Sequence, residues 1–177
     1  MANEHLDAQA RRVVTGFNAD GRSCVASDEL TPVRLAMAGN TKCDIWRVPS
    51  IPVRFEDGDG LEEGKVITEP PHGGLVHRIV TFPPDSEWDR SQGYGDATGR
   101  LSTGNPDEDD EGIPGLHVTN TVDILTVLSG ELCCELQEGE VVLRPGDTIV
   151  QRGTKHAWSN RTDGPTTIVA IMMTAEH

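Results

Sequence analysis

The chain has 177 residues and a formal net charge of −14 at pH 7, from 29 acidic against 15 basic side chains. That length holds one domain with a real core and is short for two, and the acidic balance lacks the clustered Lys and Arg that displace counterions from nucleic acid or anionic lipid. No stretch approaches the ~18 apolar residues of a spanning helix, and Met1 to Leu6 lacks the basic flank and apolar run of a signal peptide. A soluble, cytoplasmic protein with no nucleic-acid and no membrane partner is expected.

Residues 4–12 suit a short helix, after which RRVVTGFNADGRSCVAS reads as two strands around the turn-forming Asn18-Ala19-Asp20-Gly21. This predicts an N-terminal β-arm. CDIWRVPSIPVRF (43–55) is strand-like but interrupted by Pro49 and Pro52, which suits a sheet edge. LVHRIVTFPPD (75–85) alternates as a strand, with Leu75, His77, Ile79 and Thr81 on one face and Val76, Arg78, Val80 and Phe82 on the other. From Asp85 to Pro114 the chain turns polar and glycine-rich, and Asp107 to Glu111 is a self-repelling run, so a long acidic loop is expected. In the last third, DILTVLSG, ELCCELQEG, EVVLRPG, DTIVQRG, HAWSN and TTIVAIMMTA are β-prone runs divided by turn residues. An all-β antiparallel sandwich or barrel follows, with residues 1–74 as arm and barrel-edge segments and 75–177 as the barrel of one structural domain. Cys24, Cys43, Cys133 and Cys134 have no C-x-x-C spacing and read as reduced, small apolar residues.

Chemistry concentrates in GLHVTNTVDILTVLSGE (115–131) and GDTIVQRGTKHAWSN (146–160). Alternate residues of a strand share a face, so His117 and Thr119 point the same way, and a turn at Asn120 returns Asp123 toward them. His156 joins them from a later strand. His77 is a further candidate to line the cavity as an acid or base, weighed against a plain structural histidine. Gln151 and Arg152 face opposite ways, so at most one enters the interior, and Arg152 is the candidate partner of a substrate carboxylate. Trp158 shares a face with His156, as an aromatic wall of the site or as ordinary packing. There is no G-x-S-x-G, G-x-x-x-x-G-K-[ST] or G-x-G-x-x-G.

The string His117-x-Thr119-x-x-x-Asp123, closed by Gly130, and the later Gly146, Gly153, His156 and Asn160 closely resemble the two motifs of the cupin superfamily. Asp123 takes the place of the family's Glu, Thr119 that of its second His, and Gln151 stands where Pro is common. The resemblance covers residues 113–174 well and 75–84 in part. It implies a cupin-type jelly-roll β-barrel, here with an N-terminal β-arm and a long acidic loop. It also implies that His117, Asp123 and His156 hold a divalent metal ion (Fe, Mn, Ni, Co or Zn), with Thr119 beside a metal-bound water. Two imidazoles and one carboxylate are a ligand set that leaves positions for water or substrate. The competing arrangement is a metal-free barrel in which His117 and Asp123 only hold each other.

The expected function is a metal-dependent lyase or isomerase acting on a small carboxylated or enolisable organic molecule by decarboxylation, dehydration or isomerisation. The alternatives are an Fe(II)-dependent dioxygenase and a non-catalytic small-molecule-binding cupin without metal. A homodimer is expected from the resemblance and from the need to cover sheet edges at the arm and at 43–55.

Overall fold

The computed structural model describes residues 3–92 and 112–176, in which every helical element is a single 3-10 turn and all else that is regular is β-strand. The strands are β1 (Arg11–Phe17), β2 (Ser23–Leu30), β3 (Arg34–Met37), β4 (Asn40–Val48), β5 (Leu75–Phe82), β6 (Thr121–Ser129), β7 (Leu132–Leu136), β8 (Glu140–Leu143), β9 (Thr148–Arg152), β10 (His156–Ser159) and β11 (Thr166–Thr174). The helix expected over 4–12 shrinks to one 3-10 turn, Glu4–Asp7. The strand that follows starts at Arg11 because β-branched Val13, Val14 and Thr15 favour extended backbone. β1 and β2 form the predicted arm, and the Asn18 carboxamide oxygen closes its turn by accepting from the N–H groups of Asp20 (3.0 Å) and Arg22 (2.9 Å).

Six antiparallel strands make the larger sheet, in the order β3-β4-β5-β11-β6-β9, and β10-β7-β8 make the smaller one. The two face each other as a jelly roll whose sheets do not join into a closed cylinder. The segment expected at an edge gives Cys43–Val48 to β4; β3 pairs only as far as Cys43, so Asp44–Val48 have β5 alone as a neighbouring strand, as an edge does. Pro49 and Pro52 fall after Val48, where β4 has ended, so no ladder donor is lost. Of the expected acidic loop, residues 85–92 hold two 3-10 turns, Asp85–Glu87 and Arg90–Gln92, while the 107–111 run lies outside the described residues.

The apolar core sits between the sheets. Val80, Phe82, Leu125, Val127, Ile168 and Ala170 come from the large sheet, and Leu132, Cys134, Leu143 and Trp158 from the small one. Register then decides what lies beyond it. One cross-strand row of the inner face reads Asp44, Arg78, Ala170, Leu125 and Ile149, and the next reads Arg47, Val76, Met172, Asp123 and Gln151. The lining therefore changes from apolar to polar toward one end of the barrel, and that end also carries His117 and His156.

The β6–β7 hairpin holds the two sheets in this relation through Gly130, at φ 76°. A Cβ there would stand 2.9 Å from Thr166 Cα and closer still to Thr166 Oγ1, which donates to the Glu131 carbonyl at 2.9 Å. Gly130→Ala combines left-handed strain with a backbone clash and is expected to cost about 2 kcal/mol or more. Urea unfolding measures it, and an unchanged midpoint would contradict this account of the hairpin.

Candidate functional site

His117 and His156 exchange both backbone hydrogen bonds, each 2.9 Å, so their side chains leave the same face. Their ring centroids are 4.4 Å apart. His117 Nδ1 lies 2.8 Å from the Gly115 carbonyl and His156 Nδ1 lies 2.9 Å from that of Thr154. A carbonyl only accepts, so each Nδ1 carries the proton and each Nε2 the lone pair. Burial pushes both imidazoles down, and for His156, where the neighbouring His117 adds to it, down to about 3. Both rings are neutral at ordinary pH.

In the unfolded chain a histidine protonates near pH 6.5. Because folding depresses the His156 value, this residue contributes stability above about pH 6.5 that is lost as the solution is acidified. His156→Gln, which does not titrate, is expected to flatten the loss of stability between about pH 6 and pH 4. Urea midpoints across that range provide the check, and parallel curves for the two proteins would contradict the burial argument.

Asp123 projects from β6 between Met172 and Gln151 in register and is 5 % exposed. Burial pushes its carboxyl up to about 6, against the pull of the Thr121 hydroxyl and the Arg78 charge, with Glu69 pushing the same way as burial. Oδ1 meets no hydrogen-bond partner among the described residues. Thr119 is buried and its hydroxyl lies 2.7 Å from that of Thr121, so the two threonines form a polar strip leading to the carboxyl. Gln151 enters the interior and is bonded there: its Nε2 donates to the Thr154 carbonyl (3.0 Å), and its Oε1 accepts from the Thr154 hydroxyl (2.6 Å). The same carbonyl receives the His156 Nδ1–H, so Gln151 fixes the turn that orients His156.

The other predicted residues fall elsewhere. Arg152 pairs with Val122 on the outer face and is exposed, so it does not reach the interior. His77 lies between Trp46 and Ile171 on the face away from the core and is half-buried there, while Val76, Arg78, Val80 and Phe82 are the buried row of β5. The cavity that His77 touches, about 730 Å³, lies between β4 and the arm and is lined by Val13, Trp46, Val48 and Val53. Trp158 belongs to the core and meets the His156 ring edge-on at 5.3 Å.

Sequence reasoning missed the inward charges beside Asp123. Asp44 is fully buried, with Arg78 Nε 3.0 Å from Oδ1 and Arg47 Nη2 3.6 Å from Oδ2. Arg78 Nη2 also donates to the Ile67 carbonyl at 2.7 Å, and Arg47 Nη2 to that of Lys65 at 2.9 Å. Lys42, opposite Val80 in register, acts on both Asp44 and His117 through its charge. A signal was available: Arg78 alternates with Val76, Val80 and Phe82, and a charge in an apolar row needs a buried partner.

A divalent ion requires a third donor beside the two imidazoles. Among the described residues no three His, Cys, Asp or Glu side chains form a group able to hold a metal ion. The Nε2 lone pairs of His117 and His156 suit a metal, but Asp123, one methylene shorter than Glu, does not complete the set with them. As a three-ligand centre the predicted residues do not fit, and no chemical step below runs through a metal.

A family model described as "Cupin domain" matches residues 106–172. The chain is 48% identical over 161 residues to "Oryzines biosynthesis cluster protein J" of Aspergillus oryzae (strain ATCC 42149 / RIB 40), covering 86% of this chain and 75% of that protein. It is 47% identical over 47 residues, 26% of this chain, to "Phomopsin biosynthesis cluster protein D" of Diaporthe leptostromiformis, and spans 25% of that protein's length. Among solved structures, a Cupin 2 conserved barrel domain protein from Salinispora arenicola CNS-205 is similar with a TM-score of 0.39 and 14% identity, over 66% of this chain and 72% of that one.

Proposed function

Because this chain belongs to the cupin superfamily, we propose that it is an enzyme that binds a small carboxylated or enolisable organic molecule inside the barrel and moves a proton on it, by decarboxylation, dehydration or isomerisation. The observation that carries this reading is a buried carboxyl with an Oδ1 free among the described residues, paired in register with Gln151, whose partner Thr154 fixes the neutral His156 ring; burial pushes that carboxyl up to about 6. A group that gains and loses its proton near neutral pH is the effective acid or base. That group is Asp123. The imidazoles are weak bases at their depressed pKa values, so His117 and His156 serve by accepting hydrogen bonds from substrate hydroxyl or enol at Nε2. Thr119 steers the carboxyl through Thr121, and Gln151 holds the His156 turn. His77 and Arg152 take no part, and Trp158 backs His156. Two relatives are named for biosynthesis clusters, which suits action on a small organic molecule.

The test is an anaerobic turnover screen of small acids, lactones and phenols with wild type and Asp123→Asn. Product from wild type, with a rate lower by about 100-fold in the variant, is the expected result. Binding without turnover would instead identify a non-catalytic binding cupin, and turnover only in the presence of dioxygen a dioxygenase. The matched Nε2 lone pairs favour one second reading, a divalent Fe, Mn, Ni, Co or Zn ion held by His117 and His156 alone, without Asp123. Titration with Co(II) that leaves the visible spectrum unchanged would remove it. Exposed Phe17 and Val25 on the arm, with Ile51, Val53 and Phe55 beyond β4, support a homodimer. Light scattering that finds only monomer at micromolar concentration would argue against that assembly.

A further inference from the structure

We infer that Arg78 receives the carboxylate of the ligand and that the barrel interior is built for a small hydroxy- or oxo-carboxylate; this rests on the proposal that the interior is the site. Arg78 is 2 % exposed, and its guanidinium is held from one side only. Nε faces Asp44 Oδ1 at 3.0 Å, and Nη2 is shared between Asp44 Oδ2 (3.4 Å) and the Ile67 carbonyl (2.7 Å). Nη1 has no hydrogen bond to any described residue. A fixed fork with a free nitrogen in a water-poor interior is suited to an anionic oxygen.

A second, independent feature faces it. In register Arg78 lies beside Ala170, and Ala170 beside Leu125, with Asp123 one pleat further along β6 on the same face. Ala170 contributes only a methyl between the guanidinium and the carboxyl, so no large side chain of that strand separates the two. Asp123 Oδ1 has no hydrogen-bond partner among the described residues either, and the two charges influence each other across that gap. One end offers N–H donors and the other a carboxyl able to accept from a hydroxyl or, when protonated, to donate to a carbonyl. A ligand with a carboxylate and a neighbouring oxygen function satisfies both, at the end of the barrel where Gln151, the register partner of Asp123, is joined through Thr154 to His156. Glu69, which accepts from the Asn120 N–H at 3.2 Å, is the remaining carboxylate acting on Asp123 and disfavours a second anionic group there.

The experiment titrates lactate, and its neutral isostere lactamide, into the full chain while following the imidazole nitrogens of His117 and His156 by long-range proton–nitrogen correlation. Lactate is expected to shift both rings and to bind about tenfold or more tightly than lactamide. Arg78→Gln alone strands Asp44, so the paired variant Arg78→Gln/Asp44→Asn is used, with Arg78→Lys as a second measurement that keeps the charge beside Asp44. Both are expected to weaken lactate binding, the paired variant by about tenfold or more. Equal binding of lactate and lactamide, or wild-type lactate affinity in the paired variant with the imidazole shifts intact, overturns the role of Arg78 and leaves the interior as the site. Lactate binding that depends on Arg78 yet leaves both imidazoles unshifted overturns the reading of the interior as one joined site.

Discussion

Asp44→Asn is expected to lower stability by about 3–5 kcal/mol, because it leaves two guanidinium groups in the interior without their shared counter-charge. For a domain of this size that corresponds to a fall in Tm of about 10 °C or more. Asp44 is fully buried, and Arg78 and Arg47 both reach it. The same two arginines hold the carbonyls of Ile67 and Lys65, so the group ties the strandless 59–67 segment to β4 and β5. Burial raises the Asp44 pKa despite the pull of Arg78, Arg47 and Lys42, which means that desolvation outweighs their attraction. Such a pair is costly to break from one side and far less costly to remove from both. Arg78→Gln/Asp44→Asn should therefore recover part of the loss seen in Asp44→Asn, with Arg47 left to the exposed Glu62 at 3.6 Å. Urea unfolding of the two single variants and the pair provides the cycle, and a paired variant as unstable as the sum of the singles would contradict it. A cluster that does not maximise stability but fixes a guanidinium in the interior is better explained by what the guanidinium binds.

The strands of the last third were legible because each is a short apolar run closed by Gly, Pro, Asn or Asp, and the arm because Asn18 to Gly21 is a turn that builds itself from local bonds. The pairing of His117 with His156 was legible only as motif spacing; the two bridging backbone bonds that align the rings are long-range. The orientation of β5 was not legible. Leu75 and Ile79 make its outer row nearly as apolar as its inner one, since the arm and the 49–59 segment cover that outer face, so alternation marks two faces without saying which is inside. His77 was placed inside for this reason, and Arg78 outside. The choice between Gln151 and Arg152 likewise waits on register, because only the pairing of Asp123 with Gln151 says which side of β9 faces the core. Asp44 was hidden because a carboxylate on a strand with a single neighbour reads as solvated, whereas here it is fully buried against Arg78 and Arg47.

Asp123→Asn is expected to make the protein more stable at neutral pH, by about 2–3 kcal/mol at pH 8 and by almost nothing near pH 4. The sign follows from the direction of the shift. An aspartate in the unfolded chain ionises near its ordinary 3.8, while burial holds the folded carboxyl at about 6. Between those values the folded state binds the extra proton, so stability is fully present below about pH 4 and is lost as pH rises through about 6. Asn has nearly the same shape and never ionises, so it escapes that loss. His156 titrates across the same interval in the opposite sense, but it is common to both proteins and cancels in their difference. Urea unfolding at the two pH values, with a chelator present so that no metal contributes, gives the comparison. A wild type more stable than the variant at pH 8 would mean that the ionised carboxylate has a strong cationic partner in the folded protein, and would take away the basis for treating Asp123 as the proton-carrying group. The expected result has the opposite implication: at working pH the chain retains a carboxyl that weakens its own fold, in a polar barrel end where an asparagine would pack as well. Side chains that lower stability in this way belong to chemistry rather than to packing.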